Sequence, residues 1–160
     1  MAISKGDRIP DAELTVLAED GPDKRAASDF FGGRKVVLFA VPGAFTPTCH
    51  NSHMPGFVEN SAAMRERGVD EVAVIAVNDP FVMQAWARAS QADGKVTFIA
   101  DGNGDFARAI GMEADLAVVG FGTRSRRYAM IVDDGTVTYL GVEEGRDVKD
   151  SSAAAVMENL

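Results

Sequence analysis

A chain of 160 residues that is 46% apolar and 25% charged has the size and composition of a globular protein able to bury a substantial core. Its formal charge of −8 argues against a nucleic-acid or anionic-membrane surface, because phosphate binding needs clustered cations. One cysteine excludes an internal disulfide framework and suits a reducing cytoplasm, where the protein is expected to reside. No apolar run approaches the ~18 residues of a membrane span, and the polar start Met1-Ala2-Ile3-Ser4-Lys5-Gly6-Asp7 has no apolar signal-peptide region.

Residues 1–10 read as an extended lead-in ending at Pro10. Glu13 to Leu17 alternates like a short strand, and Glu19-Asp20-Gly21-Pro22-Asp23 is a turn cluster. Ser28 to Phe31, followed by Gly32-Gly33, suggests a brief helical turn with a glycine stop. Lys35 to Val41 is apolar and β-branched, a buried strand.

The stretch Val41-Pro42-Gly43-Ala44-Phe45-Thr46-Pro47-Thr48-Cys49-His50 follows that strand and holds the lone cysteine. Thr46 can serve as an N-cap, with Pro47 at the first helical position, where a missing N–H costs nothing. Cys49 is then the third helical residue, close to unpaired backbone N–H groups at the positive end of a helix. Such a place favours the thiolate, so the cysteine reads as reactive.

A proline inside a helix removes a hydrogen bond, so at Pro55-Gly56 the helix either kinks or restarts. Phe57 to Arg67 is helical in pattern, with Gly68 as its stop. Val72 to Val77 is near-continuously apolar, as in a parallel strand covered on both faces, which completes a right-handed βαβ unit. Asp79 caps a further helix with Pro80 at its first position and an apolar face of Phe81, Val82, Ala85, Trp86 and Ala89. A third strand at Val96 to Ile99 and a short helix from Asp105 to Ile110 follow. Asp133-Asp134-Gly135 between Tyr128–Val132 and Thr136–Leu140 is a strong hairpin signal. Ser151-Ser152 caps a last helix through Met157. With no repeat or linker, residues 1–160 are expected to form one domain. The order is that of an α/β, thioredoxin-like fold with a central mixed β-sheet flanked by helices.

Pro42, Thr46 and Cys49 match the spacing Pro-x-x-x-Thr-x-x-Cys, and three further stretches accompany it: His53-Met54-Pro55-Gly56-Phe57, Asn78-Asp79-Pro80-Phe81-Val82-Met83 with Ala85-Trp86, and Arg127-Tyr128-Ala129-Met130. On these residues the chain resembles the peroxiredoxins, within them the type II (atypical, peroxiredoxin-five-like) branch. The resemblance implies a thiol-dependent peroxidase, an antioxidant oxidoreductase acting on hydrogen peroxide and organic hydroperoxides. Cys49 would be the peroxidatic cysteine that becomes a sulfenic acid. Thr46 would reach sulfur and peroxide, Pro42 would shield the thiolate from water, and Arg127 would stabilise the developing charge. Gly43, Thr46, Cys49 and Arg127 would form the peroxide-binding site, with no metal or organic cofactor. Many relatives carry a resolving cysteine after the last hairpin; here Glu143 to Ser152 has none, so an outside thiol must reduce the sulfenic acid. In this branch that thiol is usually glutathione with glutaredoxin, sometimes thioredoxin. Relatives commonly form homodimers with contacts beside the site, for which Phe45, Phe81 and Phe121 are candidates.

Other readings stand beside this one. A lone cysteine is most often a buried structural thiol, Thr46 a plain cap, and Arg124-Ser125-Arg126-Arg127 a solvated basic patch. On a strand, Arg126 and Arg127 point to opposite faces, so at most one faces the cysteine; only the resemblance selects Arg127. His53, four residues after Cys49, could form a thiolate–imidazole pair or part of a metal site, but the partners of a metal site are lacking. The chain could instead be a peroxide sensor signalling through its sulfenic acid, or a holdase-like or structural relative without turnover.

Overall fold

Side chains of β-branched and aromatic residues alternate through Lys35 to Ala40, and the sheet is built outward from that strand. In the computed structural model, which describes residues 2–145 and 147–160, the elements run as follows. They are β1 (Glu13–Ala18), β2 (Gly21–Ala26), α1 (Ala27–Phe31), β3 (Lys35–Ala40), a π-helical turn (Cys49–His53) leading into α2 (Met54–Glu66), β4 (Glu71–Ala76), α3 (Pro80–Ala89) and β5 (Thr97–Ala100). Then come α4 (Asp105–Ala109), β6 (Glu113–Asp115), a 3₁₀ turn (Ala117–Val119), β7 (Thr123–Ser125), β8 (Tyr128–Asp133), β9 (Thr136–Val142) and α5 (Ala153–Glu158). Met1, in the lead-in, and Arg146, in the cysteine-free stretch after the hairpin, lie outside the described residues.

Seven strands form one mixed sheet in the order β2-β1-β5-β4-β3-β8-β9. β3, β4 and β5 are parallel, and β1 and β8 run antiparallel to their neighbours. Along β3 the period of two sends Val37 and Phe39 to the face covered by α2 and α3, and Val36, Leu38 and Ala40 to the face of Phe30, Phe31 and Phe106. Each large side chain so buried contributes ~1.5–3 kcal/mol, so both faces need their helices. This is the expected thioredoxin-like plan.

Local differences have local causes. Glu19 to Asp23 reads as a turn cluster, yet its second half starts edge strand β2, which pairs with β1 from Ala18↔Gly21 to Glu13↔Ala26. Pro22, Asp23, Lys24 and Arg25 are exposed there, as suits an edge strand that must not recruit another. The helix neither breaks nor restarts at Pro55. It passes through the π-helical turn, in which the Met54 N–H bonds to the Cys49 carbonyl, five residues back. Pro55 has no N–H to offer, and the extra residue of the π turn lets the ladder resume beyond it. Among the described residues, no helix is long and apolar enough to cross a membrane.

Candidate active site

Strand register decides which arginine meets the cysteine. β3 and β8 pair with Ala40 opposite Tyr128, so the chain leaving β3 runs beside Arg127, the residue just before β8. Past Val41 the backbone turns sharply. Phe45 takes a left-handed conformation (φ 66°), and the Ala44 N–H donates to Asn78 Oδ1 at 3.0 Å. Non-glycine residues rarely adopt that region, and such strain persists only where the surroundings enforce it. Helical geometry begins at Pro47, as its residue type favours, and Cys49 follows two residues later.

Cys49 is buried, with 0% of its surface exposed. Arg127 Nη2 donates to its sulfur at 3.1 Å. The Thr46 hydroxyl oxygen lies 2.8 Å from the sulfur and 2.8 Å from the Gly43 carbonyl oxygen. One hydroxyl proton serves one acceptor at a time. While it bonds to Gly43, the oxygen is free to accept from a thiol; once the sulfur ionises, the proton can turn to the thiolate. Thr46 therefore sits at the N-cap position but aims its hydroxyl at the sulfur. Gly43 packs against Thr46 and Arg124, since a Cβ there would meet Arg124 Nη1 at 3.0 Å and Thr46 Cγ2 at 3.2 Å.

His53 does not pair directly with the thiol. Its Nε2 lies 2.7 Å from the Ser151 carbonyl oxygen, and its Nδ1 lies 2.8 Å from Arg127 Nη1. A carbonyl can only accept and a guanidinium can only donate. The ring must then carry its proton on Nε2 and accept from Arg127 on Nδ1. Burial between Phe39 and Phe57, which lie 5.0 and 5.5 Å from the imidazole, lowers its pKa from 6.5 to about 4; Arg127 adds to the lowering, while the Ser151 bond and Glu143 oppose it. A neutral acceptor at this position fixes one end of the Arg127 fork and leaves the other for sulfur.

A cleft of about 650 Å³ opens beside these groups, lined in part by Pro42, Thr46, Thr48, Leu116, Phe121 and Arg127. Pro42 and Thr46 thus stand at its wall. Arg126 also lines the cleft but makes no contact with sulfur, whereas Arg124 donates to the carbonyls of Phe121 (2.9 Å) and Pro42 (3.4 Å). His50 accepts from Trp86 Nε1 at 3.1 Å and ties the cysteine's turn to α3. Among the described residues, no three His, Cys, Asp or Glu side chains group as metal ligands.

A lone buried cysteine held by a threonine and an arginine at a helix start, on a thioredoxin-like sheet, points to one family, and comparison with known proteins decides it. The Redoxin family model matches residues 4–157. Peroxiredoxin-2C of Oryza sativa subsp. japonica is 44% identical over 99% of this chain and 98% of its own. This chain is a peroxiredoxin. The crystal structure of reduced Prx3 from Vibrio vulnificus in complex with hydrogen peroxide superposes with a TM-score of 0.93 at 43% identity, covering 98% of both chains. Full-length likeness at this level makes the protein a thiol-dependent peroxidase of the type II group, with a single cysteine.

The expected cytoplasmic location does not stand. Peroxiredoxin-2E of Arabidopsis thaliana is chloroplastic and 45% identical over 99% of this chain and 70% of its own. A single buried cysteine therefore assigns this chain to no compartment.

Sequence reasoning missed Glu143 and Ser151. Glu143 Oε2 accepts from the Ser151 hydroxyl (2.7 Å), the Ser151 N–H (3.0 Å) and the Lys149 N–H (2.5 Å). Burial raises its pKa but is outweighed by these bonds, which hold it below the usual carboxylate range. The signal was faint: a Glu and a Ser eight residues apart in a polar stretch, with nothing to mark His53 as their partner.

Proposed function

We propose that Cys49 is the peroxidatic residue and that an outside thiol, glutathione acting with glutaredoxin, returns it to the thiol. The observation that carries this reading is the contact of Arg127 Nη2 with Cys49 Sγ at 3.1 Å in a chain with one cysteine. The guanidinium and the Thr46 hydroxyl are two hydrogen-bonding groups aimed at the reacting sulfur. Sulfur attacks the terminal oxygen of the hydroperoxide and forms an S–O bond while the O–O bond breaks. The departing oxygen takes a proton and leaves as water or alcohol, and Cys49 remains as a sulfenic acid. Arg127 and Thr46 face the charge that moves from sulfur to the departing oxygen. Gly43 lets the loop lie close to Thr46 and Arg124, and Pro42, with no N–H, shields the site from water.

Apolar lining by Leu116, Val119 and Phe121 suits the alkyl part of an organic hydroperoxide as well as hydrogen peroxide. In the resolving step glutathione sulfur attacks the sulfenic sulfur, hydroxide leaves as water, and a mixed disulfide forms. A second thiol then attacks that disulfide and frees Cys49. A protein thiol cannot reach a sulfur that is fully buried, so the turn carrying Cys49 must open for this exchange.

A homodimer fits the exposed apolar surface. Phe45 is 46% exposed, Phe81 77%, Val118 100% and Val119 54%, while Phe121 is half-buried beneath Arg124. Exposed groups of this size beside a site support a partner surface.

Steady-state reduction of peroxide with glutathione–glutaredoxin, set against thioredoxin, tests the reductant. Faster turnover with glutaredoxin supports the proposal, and turnover with thioredoxin alone overturns it. A single round of oxidation without turnover under either system would favour the sensor reading.

A further inference from the structure

We propose that Glu143 is a positioning residue for the peroxide site, holding Arg127 against Cys49 through a closed ring of hydrogen bonds. Glu143 is attached to Arg127 twice. Its backbone N–H donates to the Arg127 carbonyl at 3.0 Å. Its carboxylate gathers the Ser151 N–H, the Ser151 hydroxyl and the Lys149 N–H on one oxygen. That fixes the Ser151 carbonyl, which accepts from His53 Nε2 at 2.7 Å. The other imidazole nitrogen then accepts from Arg127 Nη1 at 2.8 Å, and the ring closes on the residue where it began. Arg127 Nη2 is left to point at sulfur, 3.1 Å away.

The members are buried where it matters: Ser151 is 0% exposed, His53 1% and Arg127 7%. In such surroundings each bond narrows the geometry of the next, and breaking one leaves buried polar groups without partners. The neighbouring backbone is held independently. The Tyr139 hydroxyl donates to the Asp150 carbonyl at 2.6 Å, and a Cβ on Gly141 would overlap that same carbonyl oxygen. Ser151 is thus pressed onto β9 from one side and drawn to Glu143 from the other.

The placement of a carboxylate here needs a reason. Glu143 lines the cleft where a thiolate must be stabilised, and a bare negative charge would oppose that. Three N–H or O–H donors absorb its charge locally, so its gain comes through the orientation of His53 and Arg127. Partners one step removed from a reacting centre change its activity by about tenfold when lost, which is the size of effect expected.

The inference rests on Cys49 being the peroxide-reducing thiol, which loss of activity in Cys49→Ser checks separately against wild type. The test compares Glu143→Ala, Glu143→Gln, His53→Leu and the Glu143→Ala/His53→Leu double variant. Thiolate absorbance at pH 7, the second-order rate with hydrogen peroxide and the melting temperature are measured for each. Glu143→Ala is expected to lower the rate about tenfold and to reduce the thiolate fraction, while Glu143→Gln, which keeps an acceptor oxygen, retains most of both. In the double variant the losses should not multiply, because both changes cut one ring. Should Glu143→Ala fail to fold, Ser151→Ala, which takes the hydroxyl from the Glu143 carboxylate, carries the same comparison with a smaller loss. A purely local role in closing the loop predicts a lower melting temperature with wild-type thiolate fraction and rate. That result, or losses that multiply in the double variant, overturns the proposal.

Discussion

Arg127 lies between Cys49 and His53, donating to the sulfur at 3.1 Å and to the imidazole at 2.8 Å, so one guanidinium joins the reactive thiol to a buried neutral histidine. The two contacts constrain each other. A histidine that took up a proton could no longer accept from Arg127, and the fork would lose the anchor that aims it.

Protonation of His53 should therefore appear in stability. Its pKa is about 4 when folded against 6.5 when unfolded, mainly through burial. Between those values the unfolded chain binds more protons than the folded one, so stability rises with pH across pH 4 to 6.5 and this contribution is flat above it. The full span corresponds to about 3 kcal/mol. Urea unfolding of wild type and His53→Gln should give a stability difference that moves in favour of the variant as pH falls through this window. Asp101 is the same in both proteins and cancels in the difference, whereas Glu143 is coupled to His53 and is read together with it. Parallel curves would show that the folded protein carries no such histidine.

Thr46→Val keeps the shape and removes the only hydroxyl on the sulfur among the described residues. Its peroxide rate should fall ~100–1,000-fold, the cost of losing one aimed donor in a catalytic site. Melting temperature should change little, because among the described bonds the Thr46 hydroxyl caps no backbone N–H. Thr46→Ser should stay active. Equal rates in the valine variant and wild type would reduce Thr46 to a helix-start residue.

Arg127→Met should be the most damaging arginine change, since it removes the donor to sulfur and orphans the imidazole together. Arg124 also has a part, because it reaches the Pro42 carbonyl and packs against the Gly43 position. A loss of about tenfold or less is expected for Arg124→Met, acting through loop placement, against about a hundredfold or more for Arg127→Met. Stopped-flow rates that rank them the other way would refute the assignment.

Phe81→Glu places a charge on the most exposed phenylalanine of the surface. Sedimentation should show a dimer for wild type and a monomer for the variant at the same concentration. A variant that stays dimeric would move the contact elsewhere on the molecule.

The core of the fold was legible because its signals are local. The run from Lys35 to Ala40 and that from Glu71 to Ala76 are apolar on both faces, and Asp79-Pro80 writes a helix start that forms as read, with the Asp79 side chain accepting from the Phe81 and Val82 N–H groups. Edge strand β2 was not legible, because its first residues, Gly21-Pro22-Asp23, have turn chemistry and become a strand only through their register with β1. The π turn at Cys49–His53 was half legible: Pro55 signals a disturbed ladder but not its form. In the site, Cys49 and Thr46 could be read from three-residue spacing, whereas Arg127 was picked out by the resemblance alone, and the register of β3 against β8 supplies its physical reason. The link from His53 to Ser151 spans 98 positions in sequence, and no local pattern records it.

The most direct measurement is the intact mass of the protein after one equivalent of hydrogen peroxide and again after glutathione, with a non-reducing gel beside it. The expected result is one oxygen on Cys49, then a single glutathione adduct in its place, with no covalent dimer. An unoxidised protein, or quantitative conversion to a Cys49–Cys49 dimer with no adduct, would contradict a one-cysteine peroxidase served by an outside thiol.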